Sequence, residues 1–189
     1  MLILILLLPF LGFFSGSIFG QCLGRFVCVI TTFNTLFALI LSIFLLFDIT
    51  SAEIVYKVNA CHWISIDSVN VDWCFCFDTL TSVMLIVVTF ISTLVHLYSV
   101  EYMAHDPHLV RFMSYLSLFT FFMLVLITAN NFLQLFVGWE GVGLCSYLLI
   151  NFWFTRIQTN KAAIKAMLVN RVGDFFLLLA LFTIYFVFN

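Results

Sequence analysis

Residues 135–154 read LFVGWEGVGLCSYLLINFWF, and this stretch decides the fold class. It is long and apolar enough to cross a bilayer as one helix, because a hydrocarbon core about 30 Å thick needs roughly 20 helical residues. A single carboxylate, Glu140, lies inside the stretch, with glycines close on both sides. A charge at that depth is expensive in lipid, so it requires compensation from another part of the chain.

The composition of the whole chain indicates an integral membrane protein. Of its 189 residues, 65% are hydrophobic and 8% are charged, and the mean hydropathy is +1.22. Soluble domains carry about a quarter charged residues. The net charge of −2 and the lack of a basic cluster argue against nucleic acid as a partner. We therefore expect membrane lipids to surround the chain.

Apolar runs of membrane-spanning length divide the chain into about six segments. A lipid-facing backbone must satisfy its own hydrogen bonds, and these runs lack the alternation of barrel strands, so all are predicted to be helices. The predicted fold class is an all-α polytopic membrane protein. The segments are placed at 2–20, 26–47, 77–100, 112–129, 131–154 and 162–188.

The polar segment 48–76 is the one long connection, and its pattern allows a short β-hairpin. Asp78 follows it at the position where the N-cap of the third helix is expected. Four residues of this connection are a loose hint of a disulfide bridge or a metal, namely Cys61, His62, Cys74 and Cys76. Their spacing matches no standard site, so we expect no metal.

Positive charges predict the orientation. Most of them lie in or beside the connections on one side, namely Arg25, Arg111, Arg156 and Lys161, with Lys165 just inside the last helix. The opposite side has only Lys57. By the positive-inside rule, the Arg-rich side faces the cytoplasm, or the matrix of a mitochondrion. The N-terminus and the long connection then lie on the outer side, which is the intermembrane space in the mitochondrial case.

Glycines recur every four residues in the first segment, at Gly12, Gly16, Gly20 and Gly24. Small residues at this spacing let another helix backbone approach closely. The stripe predicts a packing seam, either within the same bundle or against another subunit.

Three charged residues are predicted near the bilayer midplane: Glu140, Arg171 and Asp174. Without compensation each costs roughly 2.5–3.5 kcal/mol on insertion scales. Arg171 and Asp174 share a helix face, and neighbouring fifth and sixth helices would complete an acid, base, acid triad with Glu140. The glycines near Glu140 lack side chains and are expected to let Arg171 approach it: Gly138, Gly141 and Gly143. The alternatives are a proton path and a static ion-pair staple.

Two further side chains are candidates for a proton relay. Lys165 lies about one turn inside the sixth segment, where it either snorkels to the headgroups or passes protons toward Asp174. His96, near the inner end of the third segment, is either a relay near neutral pH or a packing residue.

Longer motifs carry a family resemblance. They are RFMSYLSLFTFFML (111–124), NNFLQLFVGWEGVGLCSYLLINFWFTR (130–156) and KAAIKAMLVNRVGD (161–174), and VMLIVVTFISTLVHLYSVEYM (83–103) precedes them. In this order and spacing they resemble the family of subunit 5 of mitochondrial NADH:ubiquinone oxidoreductase, respiratory complex I. The resemblance implies an antiporter-like, proton-translocating subunit of the membrane arm, in the mitochondrial inner membrane.

The resemblance also implies roles for single residues. The family's channel acid maps to Glu140, the arginine and aspartate of its NRVGD motif to Arg171 and Asp174, and its AAxKA lysine to Lys165. Flavin, iron-sulfur centres and quinone belong elsewhere in the complex, so no cofactor and no metal is expected in this chain. A sodium/proton antiporter subunit and a purely structural membrane fragment remain the alternatives.

The family's chains have more than a dozen helices, whereas six are predicted here. Residues 1–110 are interpreted as three N-terminal helices with their outer connection, and residues 111–189 as the first part of the antiporter-like repeat. We expect a split gene, with a separate polypeptide that supplies the remaining helices and a buried lysine. That polypeptide is expected to dock against helices four to six, beside other membrane-arm subunits, and both glycine groups are candidate contact surfaces.

Overall fold

The computed structural model describes residues 2–52, 54–66 and 69–188, and within them it has six long helices and one antiparallel hairpin. All six helices are long and apolar enough to cross a membrane. The elements are α1 Leu2–Leu23, α2 Phe26–Ala52, β1 Tyr56–Ile66, β2 Val69–Phe77, α3 Thr79–Tyr102, α4 Leu109–Ile127, α5 Phe132–Ile150 and α6 Ile157–Phe188, with a short 3₁₀ turn at Asn151–Trp153. The predicted fold class and hairpin are confirmed.

The predicted helix ends are shifted where polar residues continue a helix beyond its apolar run. The second helix ends at Ala52 instead of residue 47, and the sixth begins at Ile157 instead of residue 162. Lys161 therefore lies inside α6 and not in a connection. Hydropathy marks the lipid-facing part of a helix, whereas hydrogen bonding and capping decide where the helix itself ends.

The start of α3 has the N-cap that the sequence predicts. Asp78 accepts a hydrogen bond from the backbone N–H of Thr81 at 2.7 Å, and the backbone N–H of Asp78 donates to Thr81 Oγ1 at 2.8 Å. This reciprocal capping box satisfies two backbone donors that a helix start otherwise leaves free.

The glycine stripe of α1 is a seam within the bundle, facing α4. A Cβ added at Gly20 would lie 2.7 Å from Val110 Cγ1, and one added at Gly16 would overlap Ser114. A Cβ at Gly12 would lie 3.3 Å from a serine Oγ of α4. Gly24 departs from the stripe, because it has φ +51° in the turn after α1 and no atom within 4 Å of such a Cβ. The expectation that this stripe contacts a separate polypeptide is wrong for the three seam glycines.

The hairpin fixes the start of α5 at one end of the bundle. The N–H of Cys76 donates to the carbonyl of Thr128 at 2.9 Å, and the N–H of Asn130 donates to the carbonyl of Cys74 at 3.2 Å. The fully buried Gln134 accepts from the N–H of Cys74 at 3.1 Å. Strand β2 thus holds the connection between α4 and α5 and sets the position of α5 along the bundle.

The Arg-rich connections meet at the opposite end. Arg25 donates to the carbonyl of Ala104 at 3.4 Å, which joins the α1–α2 turn to the α3–α4 connection. The indole of Trp153 donates to Asp106 Oδ2 at 3.0 Å, which joins the α3–α4 connection to the turn after α5. The predicted grouping of these connections is therefore present, and the side of the membrane that they face stays a prediction.

Candidate functional site: an intramembrane charge cluster

Glu140 and Arg171 form an ion pair between α5 and α6. Arg171 Nη1 donates to Glu140 Oε1 at 2.8 Å, and the two side chains are 60% and 33% exposed, respectively. The predicted pairing of these two residues is confirmed. A charge-assisted hydrogen bond of this length offsets much of the free-energy cost of placing both ions within membrane-spanning segments.

Asp174 has a different partner from the one that the sequence predicts. Trp139 Nε1 donates to Asp174 Oδ1 at 2.9 Å, and Asp174 is only 7% exposed. Among the described residues no Arg171–Asp174 ion pair is present, so the predicted triad is wrong. The reason is that Arg171 reaches across to α5 while Asp174 turns inward to the indole.

Sequence reasoning missed Trp139, although it stands directly before Glu140 in the motif GWEG. An indole N–H is a donor only, and a buried tryptophan nitrogen usually finds an acceptor. The position of Trp139, next to one intramembrane acid and on the helix adjacent to another, was the signal that could have identified it as a hydrogen-bond donor.

Two of the three glycines near Glu140 face α4 and not α6. A Cβ at Gly138 would lie 2.8 Å from Leu126 Cα, and one at Gly141 would overlap Phe122. Only Gly143 faces α6, and there a Cβ would lie 3.8 Å from Asn170 Nδ2, which is ordinary contact. The interpretation that all three admit Arg171 is therefore wrong, because Gly138 and Gly141 lie one helical turn apart on the face that packs against α4.

The charged side chains border a cavity of about 260 Å³ between α5 and α6. Its lining includes Glu140, Tyr147, Asn170, Arg171 and Asp174. Helix α6 is the most exposed of the six, and its buried residues are Ala163 and Asp174. The α5–α6 charge site, defined here as Trp139, Glu140, Arg171 and Asp174, is thus partly open on the side away from the bundle.

The two relay candidates lie outside this cavity. Lys165 is exposed on α6 and has no hydrogen bond or ion pair within the described part of the chain. His96 is fully buried, with Nδ1 2.8 Å from the carbonyl of Ser92 and Nε2 3.3 Å from Ser117 Oγ. A relay role for Lys165 and for His96 stays a prediction.

The hairpin gives no support to a metal or a bridge at its cysteines. Within the described residues, no group of three or more His, Cys, Asp or Glu side chains is placed to hold a metal, and the six cysteines are free thiols. His62 Nδ1 instead lies 2.5 Å from Asp72 Oδ1 on the opposite strand. Cys74 is buried and Cys61 is exposed, so the two thiols have different surroundings.

Two family models match the chain. One, described as "NADH:quinone oxidoreductase/Mrp antiporter, TM", matches residues 129–189, the part that carries the charge site. The fold and the site therefore define a membrane protein of the antiporter-related class. The other, described as "NADH-Ubiquinone oxidoreductase (complex I), chain 5 N-terminus", matches residues 63–113. The chain belongs to the family of NADH-ubiquinone oxidoreductase chain 5, as the resemblance predicted.

Individual relatives agree with this placement. The chain is 58% identical to NADH-ubiquinone oxidoreductase chain 5 of Phytophthora infestans over 98% of its length. It is 51% identical to NADH-ubiquinone oxidoreductase chain 5 of Acanthamoeba castellanii over 100% of its own length. It is 56% identical to the same protein of Triticum aestivum over 96% of its own length. The chain spans 28%, 28% and 27% of these three relatives, respectively. Together with its six apolar helices, this places it as a multi-pass inner-membrane protein.

Proposed function

We propose that this chain is the N-terminal part of a proton-translocating membrane-arm subunit of NADH:ubiquinone oxidoreductase, with Glu140 as a proton-exchanging group. The observation that carries the proposal is the Glu140–Arg171 contact of 2.8 Å beside a cavity of about 260 Å³ within membrane-spanning helices. The names of the relatives favour this function over that of a sodium/proton antiporter subunit.

The chemistry divides between the two partners. The carboxyl group of Glu140 can take up and release a proton, whereas a guanidinium stays charged under all relevant conditions. If Arg171 swings away, an uncompensated carboxylate remains inside the membrane, and uptake of a proton relieves it. Movement of Arg171, which is 60% exposed, is therefore a physical means of coupling a conformational change to proton exchange.

Asp174 is the second acid of the proposed path. Its bond to Trp139 holds it at 2.9 Å from the indole nitrogen, so it keeps a fixed place while Arg171 moves. Lys165 lies nine residues before Asp174 on α6, toward the Arg-rich end, and is proposed to deliver protons from that side. Redox chemistry takes place elsewhere in the complex and involves no cofactor on this chain.

Further helices are proposed to cover the charge site. Arg171 is 60% exposed, and the flank of α6 that it occupies is apolar and exposed at Leu168 and Phe175. Covering this flank with protein removes a guanidinium from lipid. We propose that further helices, one of them with a buried lysine, dock against α4, α5 and α6, beside other membrane-arm subunits. Mass spectrometry of the crosslinked native complex should find peptides of such helices joined to α5 or α6, and their absence would contradict this part of the proposal.

The proposed location is the mitochondrial inner membrane, with the Arg-rich end of the bundle in the matrix. The α1–α2 turn, the α3–α4 connection and the end of α5 all lie at that end. The N-terminus and the hairpin are then on the intermembrane-space side. Labelling Cys61, an exposed thiol of the hairpin, with a membrane-impermeant maleimide in intact mitoplasts tests this orientation. Labelling of Cys61 only after the membrane is permeabilised would show that the chain has the opposite orientation.

Two variants separate a proton path from a static staple. Glu140→Gln keeps the size of the side chain and its hydrogen bond to Arg171, so we expect assembly to persist while fewer protons are moved per electron pair. Glu101→Gln, at the exposed end of α3, is the matched control. Normal pumping by the assembled Glu140→Gln complex, together with failed assembly of Arg171→Ala, would show instead that the ion pair is a static staple between α5 and α6.

A further inference from the structure

A second cleft lies between α1 and the first turns of α4, at the Arg-rich end of the bundle. Its volume is about 500 Å³, and it is separate from the α5–α6 charge site. Its lining residues on α1 include Phe13, Ser17 and Gln21, and those on and before α4 include His108, Arg111 and Tyr115.

The cleft changes from basic to uncharged along the bundle. Its lining on α1 runs from Gln21, two residues before the helix ends, back to Phe13, a distance of about 12 Å at 1.5 Å per residue. His108 and Arg111 line its rim, near the membrane surface, and Phe13, Ser114 and Tyr115 line its deeper part. A groove that is basic at the surface and uncharged and partly aromatic below fits the headgroup and the start of an acyl chain of a phospholipid.

Positive charge dominates the rim. Arg111 lies in the first turn of α4, where its Nη2 donates to the carbonyl of Phe152 at 3.3 Å and its guanidinium keeps its positive charge. Arg25 is held to the α3–α4 connection by its 3.4 Å bond to the carbonyl of Ala104. The N-terminus of α4 adds partial positive charge, and the side chain of its N-cap residue, His108, makes no capping hydrogen bond. These groups favour an anion at the rim.

The nearest acid of this connection is already engaged. Asp106 Oδ1 accepts from the backbone N–H of His108 at 3.0 Å, and Asp106 Oδ2 accepts from the indole of Trp153 at 3.0 Å. These bonds, the backbone one foremost, hold the pKa of Asp106 below its ordinary value. Asp106 is not among the residues that line the cleft, so its charge reduces the positive field without occupying the site.

We propose that this cleft binds one anionic phospholipid, with its phosphate at Arg111 and His108 and one acyl chain along Phe13 and Tyr115. Each basic residue near a membrane surface contributes about 1 kcal/mol of attraction for anionic lipid, which corresponds to about a fivefold preference. The cleft therefore distinguishes an anionic lipid from a zwitterionic one with the same acyl chains.

Photolabelling of membranes that contain the assembled protein tests the proposal. The probes are phosphatidylglycerol and phosphatidylcholine with the same diazirine-bearing acyl chain, followed by peptide mapping of α1 and α4. We expect phosphatidylglycerol to label the segments 13–21 and 110–115 about fivefold more than phosphatidylcholine. Inorganic phosphate at millimolar concentration should leave this labelling unchanged, because it lacks the acyl chain.

Two pairs of variants identify the site. His108→Glu places a negative charge at the rim and should abolish the preference, whereas His105→Glu, exposed on the same connection and outside the cleft, should retain it. Ser17→Trp fills the cleft and should abolish labelling of both segments, whereas Ile18→Trp, on an exposed neighbouring position, should not. Equal labelling by the two lipids, loss of labelling with inorganic phosphate, or unchanged labelling in both His108→Glu and Ser17→Trp would overturn the proposal.

Discussion

Trp139 Nε1 lies 2.9 Å from Asp174 Oδ1 and donates a hydrogen bond to it, which ties α5 to α6 beside the ion pair of the next residue, Glu140. Two consecutive residues of α5 thus contact two acidic or basic residues of α6 in separate pairs. Because Asp174 does not share Arg171 with Glu140, each contact can be altered by itself.

Trp139→Phe removes the donor to Asp174 and leaves a buried carboxylate without that bond. A hydrogen bond to a charged group contributes about 1.5–3 kcal/mol, so we expect a loss of that size in the free energy of unfolding. Thermal unfolding in detergent measures it. Trp63→Phe, on the exposed hairpin, is the control, and an effect of Trp139→Phe no larger than this control would contradict the assigned role.

Gly138→Ala should weaken the packing of α5 on α4. The added Cβ would lie 2.8 Å from Leu126 Cα, and a backbone atom cannot move aside as a flexible side chain can. Overpacking of this kind costs about 1–3 kcal/mol. Gly173→Ala, where the added Cβ would meet no neighbouring side chain or other helix within 4 Å, should instead stabilise α6 by up to about 1 kcal/mol of helix propensity. Equal effects of the two substitutions on thermal unfolding would disagree with this packing.

Acid pH should release the contact between the α3–α4 connection and the end of α5. The pKa of Asp106 is lowered by hydrogen bonds from the backbone N–H of His108 and from the Trp153 indole. A carboxyl group with a depressed pKa stabilises the fold above its ordinary value of 3.8, and this stabilisation is lost as the pH falls below that value.

Tryptophan fluorescence can follow that release, since Trp153 donates directly to Asp106. The native chain should show a reversible emission change as the pH falls below 3.8, whereas Asp106→Asn should lack this component. At neutral pH the contribution is fully present, so no change is expected there. An identical acid response in the two proteins would exclude Asp106 as its source.

Much of the fold follows from the sequence because lipid imposes a simple rule on length and composition. Six apolar runs predicted six helices, and Asp78 predicted one helix start. Helix ends were less predictable, since the polar residues that continue α2 to Ala52 and begin α6 at Ile157 carry no hydropathy signal.

The direction of packing could not be read from spacing alone. A stripe such as Gly12 to Gly24 shows that something approaches α1 closely, but the identity of that neighbour depends on the arrangement of the whole bundle. The same limit applies at the charge site. Residues 171 and 174 share a helix face, yet the partner of each is set by which side chains α5 presents, and Trp139 competes successfully for Asp174.

Glu140 is proposed to exchange a proton as the complex turns over, and redox-induced infrared difference spectroscopy of the assembled complex can detect that exchange. We expect a carboxyl C=O band that appears and disappears with NADH oxidation, shifts in deuterated water, and is lost in Glu140→Gln but retained in Glu101→Gln. An unchanged carboxyl difference spectrum in an assembled Glu140→Gln complex would show that Glu140 keeps one protonation state and does not exchange a proton.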